Sequence, residues 1–424
     1  MTLIRVAADI GGTFTDIALD TPSGLYTSKV LTTAQEPAIG VLRGIEEVLN
    51  EAGLKASDID VFVHGTTLAT NALIERRGAV TALLTTEGLR DSVEMAHENR
   101  FEQYDLAMTR PEPLVPRDLR FGIPERLDST GRALKDLDTA ALRTAVHTMK
   151  QKDVESVAIG FLHSYANSSH EQRAAEIVQD LWPEVSITLS SEVCPEIREY
   201  ERLSTACANA YIQPLVTRYL RDLESRRHAL EMSCPMLLMQ SGGGLGTLED
   251  ALRFPVRLVE SGPAGGALLS AELARSFQLE KALSFDMGGT TAKLCIINDG
   301  YPRTSREFEV GREYRFLAGS GLPLRLPVIE MVEIGAGGSS IARLDELGRI
   351  AVGPTSAGSE PGPACYGRGG EAPTVTDADV ALGRILPDGF GKTELKFSKK
   401  AAFSAINDTM LDAETQDPTL AALG

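Results

Sequence analysis

Ile4 to Ile10 is an apolar run, Gly11-Gly12 turns the chain, and apolar residues resume from Ile17 to Leu19, which predicts strand, turn, strand. The period then lengthens. From about Glu36 to Ala52, Ile39, Leu42, Ile45, Val48 and Leu49 fall on one face, the mark of an amphipathic helix. The run IDVFVHGTTLATNALIE predicts a strand ending at His64, a turn, and a helix beginning near Thr67. AVTALLTT and SVAIGFLH read as further strands, with a helical pattern at Leu137–Met149 between them. Such alternation points to α/β architecture with a substantial mixed sheet flanked by helices. The proline- and charge-rich stretch from Arg110 to Arg132 reads as an ordered excursion, not a core element. A long helical pattern from about Ile197 to Leu230 opens the second half, so two domains are expected, at 1–190 and 191–424.

Composition narrows the function classes. The 424 residues are 43% hydrophobic and 24% charged, ordinary for a globular protein. A net charge of -17 argues against a nucleic-acid binder. It does not forbid a nucleotide site, since backbone N–H groups hold phosphate whatever the overall charge. The five cysteines are scattered without a C-x-x-C pair, and the six histidines form neither H-x-H nor H-E-x-x-H, so no zinc-type site is readable. No charged-then-apolar leader precedes the first strand, and no run approaches the roughly 20 apolar residues of a membrane span. A cytoplasmic, reduced protein is expected.

The informative feature is an internal echo. Asp9-Ile-Gly-Gly-Thr-Phe-Thr-Asp16 is repeated as Asp286-Met-Gly-Gly-Thr-Thr-Ala-Lys293, and each copy lies between two apolar strands. Two glycines without Cβ let a phosphate oxygen approach backbone N–H groups, and a threonine hydroxyl adds a donor. The leading aspartate can hold magnesium or orient a nucleophile. One such loop could be no more than a tight hairpin. Two, in separate halves, would grip the phosphates of ATP from opposite sides. Other nucleotide motifs fail: Gly391-Lys392-Thr393 ends like a P-loop, but Leu386 stands where its first glycine belongs. Gly335-Ala-Gly-Gly-Ser-Ser340 lacks the last glycine of a dinucleotide motif, and a hairpin pattern with a turn near Asp345–Gly348 follows it, not a helix. Because the GAGG run follows a strand, Gly335, Gly337, Gly338 and Ser339 are assigned to the nucleotide cleft.

Several residues carry two readings each. His64 either reaches a cleft from its strand end or is satisfied by local backbone; Thr66 and Thr67 either cap the next helix or meet phosphate. Gly262 to Gly266 precede a helical pattern, so they serve an anion site or close packing. Arg198 and Arg202, four apart, either clamp an anion or join Glu199 and Glu201 in a surface ion-pair lattice. Ser241, before three glycines, is a cleft loop or a turn. Cys365, in a proline-rich loop without a nearby histidine, reads as structural.

The same motifs carry a family resemblance. DIGGTFTD (9–16), HGTTLATNAL (64–73), REYERLSTACANAYIQP (198–214), ESGPAGG (260–266), DMGGTTAK (286–293), VEIGAGGSSIA (332–342), GPTSAGSEPGPACYGRGG (353–370) and PTVTDADVALGR (373–384) resemble the A subunit of hydantoinase/oxoprolinase-family enzymes. The wider resemblance is to actin-like, sugar-kinase and heat-shock-chaperone ATPases, which implies two ribonuclease-H-like domains around a nucleotide cleft. It makes Asp9, Gly11, Gly12, Thr13 and Thr15 the first phosphate loop, and Asp286, Gly288, Gly289, Thr290 and Thr291 the second. Asp9 and Asp286 become the magnesium-associated carboxylates. The implied chemistry is ATP-dependent phosphorylation of a cyclic amide's oxygen, followed by water addition and ring opening, with a B-type partner subunit. A ketone-carboxylase-type subunit and a non-catalytic ATP-binding regulator are the alternatives. Relatives are expected to continue beyond this length, and no adenosine-contacting glycine motif follows TVTDA, so the chain is expected to be part of a subunit.

Overall fold

Alternate burial along the first three strands fixes which way the sheet faces. In the computed structural model, β1 (Arg5–Ile10), β2 (Phe14–Thr21) and β3 (Gly24–Leu31) pair antiparallel in order. The structure describes residues 3–12, 14–33, 35–97, 100–289, 291–312, 317–358, 360–386, 397–410 and 417–423. Thr13, Thr290 and the Gly391-Lys392-Thr393 run lie outside these. Val6, Ala8, Ile10, Ile17, Leu19 and Val30 point to one face, which α1 (Pro37–Ala52) covers with Val41, Ile45 and Val48. The helix is the one the periodicity predicts, rotated slightly. Ile39 is 38% exposed, and Ala38 and Val41 take the buried positions.

β4 (Val61–Thr66) pairs parallel with the free edge of β1 and leads into α2 (Leu68–Ile74). It outruns its expected end at His64 by two residues. Beyond β4 the sheet gains a parallel strand, Met236–Met239, and a short antiparallel one, Leu245–Gly246. Three antiparallel strands followed by two parallel ones are the ribonuclease-H-like order. A boundary near residue 190 does not divide this sheet, which takes strands from both sides of it.

A second, four-stranded sheet runs Ser186–Leu189, Ser156–Gly160, β5 (Thr81–Thr86), Arg120–Ile123, parallel throughout. Every residue of β5 is buried, as expected of a parallel strand covered on both faces. The stretch read as an excursion therefore supplies an edge strand; its charge misleads because Arg120 is buried, donating to the Val115 carbonyl and to Glu94. The long helix Glu199–Ala229 packs against this sheet, α1, α2 and the strand Leu322–Ile329. Every residue from Arg202 to Ile212 is buried, so this segment is a central strut without a solvent face.

The third sheet holds the second glycine hairpin, Lys281–Met287 with Ala292–Asn298, extended by Tyr301–Pro302 and Val332–Ile334. The helix Ser261–Ser276 lies on it through Ala264, Ala267, Ala271 and Ala274. Among the described residues, Lys281–Met287 is bonded along one edge only, and Leu283 and Phe285 are exposed. The expected hairpin with its turn at Asp345–Gly348 is present as Ser340–Leu344 and Ile350–Ser356.

Close packing of α1 on the sheet runs through Gly44, where a Cβ would stand 2.6 Å from Ile17 Cγ1 and 3.5 Å from Val30 Cγ2. Gly44→Ala is expected to cost about 1–3 kcal/mol in urea unfolding, from overpacking. Adding Ile17→Val should recover part of that loss.

Candidate functional site

The two glycine hairpins are built alike. Cross-strand pairs join Asp9 to Asp16 and Asp286 to Lys293. At the turns, Gly11 N–H donates to the Phe14 carbonyl and Gly288 N–H to the Thr291 carbonyl, both at 2.9 Å. Residues opposite each other across a ladder share a face, so each sheet carries a charged row. The first runs Gly65, Asp9, Asp16, Lys29; the second runs Asp286, Lys293, Glu333. Lys29 binds Asp16 at 2.5 Å.

Asp9 is the electrostatic centre. Its Oδ1 is buried without a hydrogen-bond partner among the described residues. A Cβ on Gly65 would lie 2.6 Å from that oxygen, and one on Gly262 2.9 Å from Oδ2, so two glycines make the recess that holds the carboxylate. Burial pushes its pKa up to about 6, and the charges of Asp16 and then Asp286 add to the rise, while Lys29 opposes it. Gly262, which walls the Asp9 carboxylate, begins the helix that also lies on the second hairpin's sheet, and the charge of Asp286 is felt at Asp9. A cavity of about 550 Å³ opens beside Asp9, with Ala7, Ala18, Lys29, Gly65, Met239 and Gly262 in its walls.

The glycine run after Ile334 completes the second loop. Gly338 N–H donates to the Gly288 carbonyl at 2.9 Å and Ser339 N–H to the Gly289 carbonyl at 2.7 Å. The Ser340 hydroxyl accepts from Gly337 N–H, and Thr376 binds the Gly338 carbonyl through both N–H and hydroxyl. Gly335 lies against Gly353 in the same cluster. Gly12, at the tip of the first loop, has open space around its Cβ position.

The remaining residues named from the sequence divide between bracing and packing roles. Thr15 is buried, and its hydroxyl meets Thr32 Oγ1 at 3.0 Å, which in turn donates to the Gly11 carbonyl; it braces the loop from behind. His64 is enclosed, with Nδ1 at 3.0 Å from the Ala8 carbonyl and Nε2 at 2.6 Å from the Tyr219 hydroxyl. Burial pushes its pKa down to about 4, so it is a neutral packing residue, not a substrate ligand. Thr66 caps α2 by accepting from Leu68 N–H, and its backbone exchanges hydrogen bonds with the Ser261 hydroxyl. Arg198 and Arg202 form no clamp. Arg198 is exposed ahead of the helix at φ 88°, whereas Arg202 is buried against the Glu196 and Phe161 carbonyls. The Ser241 hydroxyl is spent on the Arg257 and Pro327 carbonyls. Burial and the Asp377 charge push the Cys365 thiol well up, which suits a structural role.

Sequence reasoning missed Gly65, Lys29 and the ion pair between Lys293 and Glu260. Period-2 alternation puts Asp16 and Lys29 on the face of Asp9, a signal available in the sequence. Glu260 sits at φ 61° ahead of its helix, and no residue pattern announces that.

The paired hairpins, one on a mixed sheet and one on an antiparallel sheet among the described residues, define an α/β fold of the actin-like ATPase type. The solved structure of the ATP-dependent caprolactamase from Pseudomonas jessenii superposes with a TM-score of 0.80 at 34% identity, over 99% of this chain and 60% of that one. Residues 5–182 match the family profile described as Hydantoinase/oxoprolinase N-terminal region, and residues 202–424 match the one described as Hydantoinase/oxoprolinase. The chain belongs to the hydantoinase/oxoprolinase family. The caprolactamase alpha subunit of Pseudomonas jessenii is 35% identical over 96% of this chain. The acetophenone carboxylase gamma subunit of Aromatoleum aromaticum is 32% identical over 94% of it. This chain spans 58% and 56% of the length of those two relatives.

Asp9→Asn tests the recess directly. An acid whose pKa is raised on folding adds stability at low pH that is lost between its unfolded value, 3.8, and its folded value of about 6. In metal-free buffer at pH 7.5 the asparagine variant should therefore be about 1–3 kcal/mol more stable than wild type in urea. That advantage should vanish below about pH 4, where the aspartate is neutral in both states.

Proposed function

We propose that this chain is the ATP-handling part of an enzyme that opens cyclic amides after phosphorylating the lactam oxygen. The observation that carries this is an aspartate with a buried, unpaired oxygen at the head of one glycine hairpin, within the field of the matching aspartate of the other. The tips of the two turns, at Gly12 and Gly289, suit phosphate oxygens on opposite sides of the cleft, while the N–H groups of Gly337, Gly338 and Ser339 are spent bracing the second loop. Asp9, kept basic enough by its recess, takes the ring N–H proton while the amide oxygen attacks the terminal phosphorus. One O–P bond forms, the bridging P–O bond of ATP breaks, and ADP leaves. Water adds to the activated carbon, the adduct's C–N bond breaks with the ring nitrogen taking up a proton, and a second water hydrolyses the resulting acyl phosphate to the open-chain acid and phosphate. The cavity beside Asp9 is large enough for a small cyclic amide.

Asp9 and Asp286 are the carboxylates suited to magnesium. The unpaired Asp9 oxygen and the absence of any cluster of three potential ligands among the described residues fit an ion held mainly by phosphate oxygens and water. When bound, magnesium would offset the triphosphate's charge. We assign the remaining step, water addition, to a B-type partner subunit. The caprolactamase and its alpha subunit support the amide reading; the carboxylase gamma subunit supports a second, in which Asp9 takes the α C–H proton of a ketone and an enol phosphate forms. No described helix is long and apolar enough to cross a membrane.

With its partner subunit, ATP hydrolysis is expected to require a lactam such as caprolactam, a hydantoin or 5-oxoproline. Asp9→Asn should lower kcat by about a hundredfold or more. Turnover indifferent to every lactam would sink the amide assignment, and dependence on a ketone with bicarbonate would establish the second. Lactam opening that survives Asp286→Asn, with only assembly altered, would instead mark the chain as a regulator.

A further inference from the structure

The equivalent position after each glycine loop carries opposite charge, Asp16 in the first hairpin and Lys293 in the second. Asp16 is answered within its own sheet by Lys29. Lys293 stands between Asp286 and Glu333 on its ladder, yet its ammonium is paired with neither. It reaches out of the sheet to Glu260. Both side chains are largely buried, 15% and 11% exposed, so this is a desolvated pair of a kind that geometry must justify.

Glu260 heads the helix Ser261–Ser276, which lies on the sheet of Lys293, but its backbone is tied to the first hairpin's system. Its N–H donates to Thr70 Oγ1 at 2.9 Å, and the next residue, Ser261, exchanges hydrogen bonds with the Thr66 backbone at 3.1 and 3.3 Å. These bonds tie it to the β4–α2 turn, beside the Gly65 that cradles Asp9. The ion pair therefore bridges the two hairpin systems. A cation between two carboxylates on its ladder, adjacent to a glycine loop, has more to gain from a polyanion than from one carboxylate.

We propose that Lys293 is the cation that binds the polyphosphate chain, and that Glu260 is its placeholder, holding the ammonium until phosphate oxygens displace it. Phosphate and Glu260 compete for one ammonium, so nucleotide binding frees the Glu260 carboxylate at the head of its helix. Burial lowers the pKa of Lys293, which fits an ammonium ready to trade a poorly solvated partner for a stronger one.

Because this rests on the nucleotide reading above, the test measures binding, not turnover. The 424-residue chain is titrated calorimetrically with magnesium and the β,γ-imido analogue of ATP. Lys293→Met should weaken binding by at least about tenfold, the loss of a charge-assisted contact. Glu260→Gln should tighten it by about threefold or more, and should have no effect in the Lys293→Met background. Circular-dichroism melting reports whether each variant folds; should Lys293→Met fail to fold, Glu260→Gln decides alone. Affinity unchanged or weakened by Glu260→Gln makes the pair a strut and overturns the proposal. So does a folded Lys293→Met that binds like wild type. No binding by wild type overturns the nucleotide reading and this proposal together.

Discussion

A carboxylate oxygen without a partner, in a recess nearly closed to water, is costly to maintain, and much of this molecule is arranged to maintain it. Asp9 occupies its place because parallel pairing of β1 with β4 sets Gly65 beside it, and because the first turn of the helix Ser261–Ser276 presents Gly262 from the other side. A side chain at either position would strike the carboxylate. The Ser261–Thr66 hydrogen bonds hold that helix end in register with the strand, and the third sheet rests on the same helix. Moving any of these parts would fill the recess or flood it. Strain of this kind, concentrated at one atom and sustained by distant packing, is a common property of reactive sites.

What the sequence revealed follows the range of the forces involved. The two glycine hairpins were legible because turn, strand alternation and leading aspartate are local, and because the second copy removes the ambiguity of the first. Helix α1 was legible from its period. The six-stranded sheet was not, since Met236–Met239 joins β4 across some 170 residues, and no local pattern specifies that partner. Charge misled in two places. Arg120 lies in a stretch that reads as an excursion and Arg202 reads as a clamp or part of a surface lattice, yet both are buried and bonded to backbone carbonyls.

His64 illustrates a subtler limit. A polar residue near the end of a strand beside two threonines points as naturally inward as outward, and the face is settled by the register of β4 against β1. That register turns it towards Tyr219 of the long helix, where a neutral imidazole joins the β1 backbone to the strut. The tyrosine is more than 150 residues away in sequence. A motif can place a residue at a site without telling which side of the sheet the site is on.

The hairpin of the third sheet has one further property. Its strand Lys281–Met287 keeps a bare edge of backbone donors and acceptors among the described residues, with Leu283 and Phe285 exposed alongside. Such an edge recruits any extended chain that meets it. The ribbon that carries Asp286 therefore presents a strand edge to which an extended segment can add.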